Sequence, residues 1–344
     1  MDLAIQVSPD HPWAKEHPEW FKKRPDGTIQ YAENPPKKYQ DIYPVYFETD
    51  DWRSLWLEMK EIMLTWASWG VRIIRVDNPH TKPFQFWEWL ISEVKKQYPD
   101  MIFLSEAFTK PKVMQQLAKR GFAQSYTYFT WRNHKHEIQE YLTELTQSEM
   151  QYYYRPNFWP TTHDINPHIL QPGHEPQFMI RFLLAATLSS NYGIYGPSFE
   201  LMEHLPIPGK EEYINSEKYE IRHWDWGRTN RLTYLIGLVN RIRKENPALQ
   251  TTNNLTFCRI DDDALMAYLK VSGNNRLLMI INTDAYNRRA GMVQVPTWQM
   301  GIGDDQEYTV HDLLTGAHYT WRGQWNYVEL DPYLLPMHLF KIES

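Results

Sequence analysis

Three acidic residues, Asp77, Glu106 and Asp164, each follow a short apolar run that reads as a β-strand. The C-terminal ends of parallel strands are where (β/α)8 barrels keep their catalytic groups. Paired carboxylates about 5 Å apart perform retaining glycoside chemistry: one attacks the anomeric carbon, the other protonates the leaving oxygen and then deprotonates the acceptor. A third can stabilise the oxocarbenium-like charge between those steps. Any one of these acids could equally cap the next helix or pair with a neighbouring base. Three in successive loops favour the chemical reading.

The elements that must position them follow from hydrophobic periodicity. Residues 3–7, 71–76, 101–104, 125–129, 157–159 and 191–195 read as strands. Helical spacing over 52–66, 83–97, 111–119, 135–145, 177–188 and 230–244 places a helix after each. Alternating strands and helices predict an α/β fold with a parallel sheet. About six βα units are present where a closed barrel needs eight, so the expected architecture is a (β/α)8-type barrel that is N-terminally incomplete. The chain opens directly on a strand, which places the shortage at the N-terminus and makes the C-terminal part of a longer or split enzyme the expected origin. From about residue 249 the pattern changes to short alternating strands broken by Asn, Asp and Gly, the mark of a small all-β sandwich. The predicted division is a partial barrel over 1–248 and a β-sandwich domain over 249–344.

Composition limits the alternatives. The 344 residues are 42% hydrophobic, 23% charged and 15% aromatic, enough to bury a core. Thirty-six Lys and Arg against 42 Asp and Glu give a net charge of -6, and without a strong local basic patch neither nucleic acid nor an anionic membrane is an expected partner. No apolar run approaches the roughly 18 residues of a membrane span. One cysteine, Cys258, excludes an internal disulfide and a Cys-based metal cluster; with no signal peptide at the start, a cytoplasmic location is expected. His11, His80 and His163 are too scattered to specify a metal site, so neither metal nor cofactor is expected. No GxxxxGK[ST] run supports nucleotide chemistry.

The acid-bearing segments then resemble a known group. Asp2-x-x-x-Gln6, Arg75-Val76-Asp77, the lone Glu106 and His163-Asp164 fall in the order of the four signature regions of the α-amylase superfamily of glycoside hydrolases and transglycosylases. The stretches Gln6 to Trp13, Arg75 to Pro83 and Ser216 to Glu220 narrow the resemblance to the α-1,4-glucan:maltose-1-phosphate maltosyltransferases. It covers almost the whole chain, except that members of that family have an N-terminal domain and two earlier barrel strands.

The resemblance implies transfer of a maltosyl unit from α-maltose 1-phosphate to the non-reducing end of an α-1,4-glucan, with phosphate released and configuration retained. It makes Asp77 the nucleophile, Glu106 the general acid/base and Asp164 the transition-state stabiliser. Arg75 would hold Asp77 ionised, and the surroundings of Glu106 would favour its protonated form for the first step. Asn34, Lys37 and Tyr39 look like the donor-phosphate pocket, although by composition their segment is only a polar turn with solvated lysines. Gln6, Asp41, Asn78, Lys218 and Tyr219 match maltosyl-binding positions, and His163 accompanies Asp164. A homodimer, or association with the missing N-terminal part, is the assembly the resemblance leaves open. A glucan hydrolase or sugar isomerase shares the three carboxylates and is the competing enzymatic reading. A non-catalytic glucan-binding remnant is the competing reading of another class.

Overall fold

The computed structural model describes residues 1–34, 37–303 and 305–343; the side chains of Asn34 and Lys37 lie outside the described residues. The chain forms two compact units, residues 1–126 with 153–155, and residues 127–152 with 156–344.

The first unit contains four parallel strands in the order β1 (Asp2–Leu3), β2 (Ile73–Asp77), β3 (Ile102–Glu106) and β4 (Gln124–Tyr126). Three helices connect them: α1 (Trp52–Ser68), α2 (Phe84–Gln97) and α3 (Pro111–Lys119). In α1, Leu55, Met59, Met63 and Ala67 recur every fourth residue and are all buried, one stripe along the helix. Phe86, Trp87, Leu90, Ile91 and Val94 do the same on α2. These side chains pack with Ile74, Val76 and Phe103 of the strands in one continuous core. Fully burying each such Leu, Met or Phe contributes on the order of 2 kcal/mol.

Residues 3–7, expected as one strand, form two. Asp2–Leu3 pairs in parallel with β2, whereas Gln6–Val7 turns away to pair antiparallel with Tyr43–Pro44. The reason is local: Gln6 N–H bonds back to the Ala4 carbonyl at 3.1 Å, and this tight turn breaks the extended run. A second hairpin, Ala32–Asn34 with Lys37–Tyr39, occupies the long loop before α1.

The second unit begins with α4 (Lys135–Gln147), β5 (Pro156–Phe158), α5 (Glu175–Leu188), β6 (Asn191–Tyr192) and α6 (Arg231–Glu245). β5 and β6 are parallel, with Asn157 opposite Asn191. Helix α5 is buried from Pro176 to Leu188, so its apolar residues show no clean stripe. The expected strand over 125–129 ends early: a 3-10 turn, Tyr128–Trp131, takes over after β4.

Beyond α6 come eight antiparallel strands: β7 (Leu255–Cys258), β8 (Leu265–Ser272), β9 (Asn275–Asn282), β10 (Arg289–Gln294), β11 (Glu307–Asp312), β12 (His318–Arg322), β13 (Trp325–Leu330) and β14 (Met337–Glu343). Six form a sheet ordered β7-β8-β9-β14-β11-β12, and β10 pairs with β13 as a separate ribbon. Leu269, Leu278, Ile280, Val293, Val310, Val328 and Phe340, drawn from sheet and ribbon together, fill the core of this expected all-β region.

Candidate active site

Asp77 and Glu106 are the last residues of β2 and β3, not the first residues of the loops beyond. The register pairs them directly, so they leave adjacent parallel strands on the same face. Ile74 and Val76, on the opposite face, are fully buried, and this alternation turns Arg75 toward Asp77.

Arg75 organises the group. Its Nη1 lies 2.8 Å from both carboxylate oxygens of Asp2 and 3.3 Å from Asp77 Oδ1, and its Nη2 lies 3.3 Å from Glu106 Oε1. Burial alone would lower the guanidinium pKa, but Glu106 and Asp2 outweigh it and the net displacement is upward. Arg75 is therefore a permanent cation shared by three carboxylates. Tyr126 lies beneath it, its ring centroid 5.9 Å from the guanidinium carbon, and burial pushes its phenol up to about 12.

Asn78 joins the two acids. Its backbone N–H lies 3.3 Å from Glu106 Oε2 and 3.1 Å from the Glu106 carbonyl, while its side-chain amide donates to Asp77 Oδ2 at 3.2 Å. Asn78 adopts a left-handed φ of 45°, a conformation that Asn tolerates better than most residues. The same segment continues into His80 and Lys82, which border a cavity of about 550 Å³ with Lys22, Tyr46 and Phe84. Burial lowers the Lys82 ammonium to about 8, against the opposing pull of Asp77.

In the second unit an aspartate is held by a histidine and a lysine. Asp164 lies in the loop after β5, its Oδ2 3.0 Å from His163 Nε2, and its Oδ1 accepts a hydrogen bond from Lys218. Burial works against the Lys218 charge, but Asp164 more than compensates and the ammonium pKa is raised. Ser216 shapes this turn: its Oγ accepts from Lys218 N–H and its carbonyl from Tyr219 N–H. The Lys218 ammonium lies 5.4 Å from the Tyr219 ring centroid. Tyr195 stands 6.1 Å from the His163 ring, its phenol pushed up to about 12 by burial and then by Glu217. Gly193 lets Trp159 pass close, since a Cβ there would stand 2.3 Å from a ring carbon.

The structure thus brings Asp77, Glu106, Arg75 and Asn78 together in one unit, and Asp164, His163, Lys218 and Tyr219 together in the other. Gln6 and Tyr39 sit on the two hairpins of the first unit, and Asp41, exposed, just beyond Tyr39. Asn34 and Lys37 pair through their backbones at the end of the second hairpin; their proposed side-chain role lies outside the described residues. Tyr126 and Tyr195 are not legible in the sequence, because an isolated tyrosine carries no motif. The role of Asp2 beside Arg75 depends on the Asp2–Arg75 register of two strands 73 residues apart.

A fold of this kind is shared with solved glucan-acting enzymes. The α-amylase of Geobacillus thermoleovorans matches 97% of the chain, and 74% of its own length, at TM-score 0.74 and 12% identity. The fold defines the class: a partial (β/α)8 barrel with an all-β domain, as in solved α-amylases.

Sequence comparison narrows this. The α-1,4-glucan:maltose-1-phosphate maltosyltransferase of Chlorobaculum tepidum is 55% identical over 99% of this chain and 52% of its own length. That of Methylacidiphilum infernorum is 53% identical over 100% of this chain and 52% of its own. The family described as "GLGE, C-terminal" matches residues 257–342. Over almost its whole length the chain is thus similar to α-1,4-glucan:maltose-1-phosphate maltosyltransferases, and it spans about half the length of the curated relatives it matches.

Proposed function

We propose that the protein transfers a maltosyl unit from α-maltose 1-phosphate to the non-reducing end of an α-1,4-glucan by double displacement. The observation that carries this reading is the Asp77–Glu106 register pair, bridged by Arg75 at the C-terminal ends of adjacent parallel strands. The kinship with maltosyltransferases supports the choice of donor and acceptor.

The Asp77 carboxylate attacks the anomeric carbon while Glu106 donates its proton to the departing phosphate oxygen, giving a glycosyl ester on Asp77. Glu106, now ionised, deprotonates the acceptor hydroxyl, which attacks the same carbon and restores the original configuration. Arg75 holds the Asp77 carboxylate in place, Nη1 to Oδ1 at 3.3 Å. Asp164 stabilises the oxocarbenium-like charge, a role taken from the motif it shares with the superfamily. Asn78, Gln6, Asp41, Lys218, Tyr219 and His163 hold the maltosyl unit, and Asn34, Lys37 and Tyr39 receive the phosphate. Amides, phenols and ammonium groups are suitable hydrogen-bond donors to a dianion.

The proposal includes a boundary at 248/249 between barrel and β domain, action in the cytoplasm, and assembly as a homodimer or with a further barrel segment. No helix among the described residues is long and apolar enough to cross a membrane. The test is phosphate release from α-maltose 1-phosphate with a maltooligosaccharide acceptor. Acceptor-dependent release abolished by Asp77→Ala supports the reading, and reducing-sugar release without phosphate contradicts it.

A further inference from the structure

The β10–β13 ribbon carries two large aromatic rings that the catalytic centre does not use. Along β13, Asn326, Val328 and Leu330 turn inward, while Trp325, Tyr327 and Glu329 face solvent. Trp325 remains 41% exposed and Tyr327 59%. Two residues apart on one strand, their Cα atoms lie about 7 Å from each other on one face.

The neighbouring segments complete this face. Trp325 is opposite Gln294 and Tyr327 is opposite Met292 on β10. Arg259 and Asp261 flank β10 on its other side: Gln294 N–H donates to the Arg259 carbonyl at 2.8 Å, and Met292 N–H donates to Asp261 Oδ1 at 2.6 Å. The Arg259 guanidinium carbon lies 5.8 Å from the Trp325 ring centroid. At the far end, Glu329 accepts from the Tyr327 hydroxyl at 3.2 Å and from Arg288, also at 3.2 Å.

We propose that this ribbon face is a second α-glucan-binding surface, built from residues outside the proposed catalytic group, on which glucosyl units stack on Trp325 and Tyr327. The inference rests on the reading that the protein acts on α-glucan. A glucosyl ring presents an apolar C–H face bordered by hydroxyls, and exposed aromatic rings with polar groups beside them complement both parts. Charge favours the same occupant. Arg259 and Arg288 are balanced by Asp261 and Glu329, so the face has no single-sign field to select a nucleic acid or an anionic lipid. An uncharged polyhydroxylated chain fits that balance. The amide of Gln294, the Arg259 guanidinium and the Arg288–Glu329 ion pair supply donors and acceptors for sugar hydroxyls.

The test is native electrophoresis of the full chain in gels with and without amylopectin. The expected result is retardation of the wild type and of Asp77→Asn, with apparent affinity weakened about tenfold or more in Trp325→Ala/Tyr327→Ala. Trp325→Phe, which keeps a ring, retains most of the retardation. Thermal melting checks that the double variant is folded; the exposed positions predict a small change.

Equal retardation of the double variant and wild type overturns the proposal, as does no retardation of the wild type. A wild-type dimer in gel filtration that the double variant breaks also overturns it, because the face would then join copies of the chain. Phosphate release from α-maltose 1-phosphate onto a short acceptor is read separately. Loss of that release with ring-dependent retardation intact would contradict the catalytic reading and leave this surface standing.

Discussion

Arg75 and Glu106 meet across two parallel strands, Nη2 to Oε1 at 3.3 Å, while the same guanidinium reaches Asp77 at 3.3 Å. In the proposed mechanism one cation thus serves a nucleophile that must be charged and an acid that must first be neutral. A guanidinium beside a carboxylate favours its ionised form, and burial favours the neutral form. Glu106 is only 6% exposed. Asp2 shifts the balance by taking part of the Arg75 charge, its oxygens 2.8 Å from Nη1.

Asp2→Asn tests that sharing. Removing the Asp2 charge takes away a negative neighbour and leaves Arg75 more positive toward Glu106, and both effects oppose protonation of Glu106. The basic limb of the kcat/KM pH profile should move to lower pH. Asp2 is half exposed, so the melting temperature should change little. An unchanged profile would show that Asp2 does not tune the pair.

Lys218→Met separates a site role from a structural one. The Lys218–Asp164 pair is partly exposed, with side chains 39% and 28% accessible, so its loss should cost no more than about 1 kcal/mol of stability. Transfer should fall by about tenfold or more if the pair holds substrate. Equal loss of both would make it a structural contact.

Asp284 anchors the turn between β9 and β10. It accepts from Arg289 Nε at 3.0 Å and Nη2 at 2.6 Å, from Asn287, and from two backbone N–H groups. Burial alone would raise its carboxyl pKa, but the Arg289 and Asn287 bonds prevail and bring it down to about 2. A depressed carboxyl contributes stability that is present above its ordinary value near 4 and is lost as pH falls toward 2. Asp284→Ala should cost about 1–3 kcal/mol at pH 7, by urea unfolding, and much less at pH 2. The same cost at both values would contradict the assignment.

Lys270, fully buried, donates to the carbonyls of Thr251 at 2.6 Å and Thr187 at 3.3 Å, near the C-terminal end of α5. Burial, then the like charge of Arg243, lowers its ammonium to about 7. Between about pH 7 and 10 the unfolded chain holds a proton that the folded chain has released, so this group makes stability rise with pH, by up to about 1.4 kcal/mol per unit. In Lys270→Met that contribution should vanish, flattening the slope of unfolding free energy against pH over the range. An unaltered slope would show that the lysine stays charged.

Much of this fold is legible in periodicity. Helix α3 runs from Pro111 to Lys119 as the spacing predicts, and in α6 Asn230 caps the helix through the Thr233 N–H. What periodicity misses is where a run divides. Residues 3–7 look continuous, yet the Ala4–Gln6 turn sends the two halves to different partners. The acids Asp77 and Glu106 are visible by position, but their direct pairing is a matter of register between strands, which one sequence does not encode locally. Tyr126 shows the limit: it acquires its place beneath Arg75 only when β4 lies beside β3.

The most direct test of the central claim is phosphate release from α-maltose 1-phosphate by the purified chain, with and without maltohexaose, alongside Asp77→Ala. The account predicts acceptor-dependent release in the wild type, reduced by about 10³-fold or more in the variant, with elongated glucan of retained α configuration as the second product. Release that is indifferent to Asp77, or a product of inverted configuration, would contradict it.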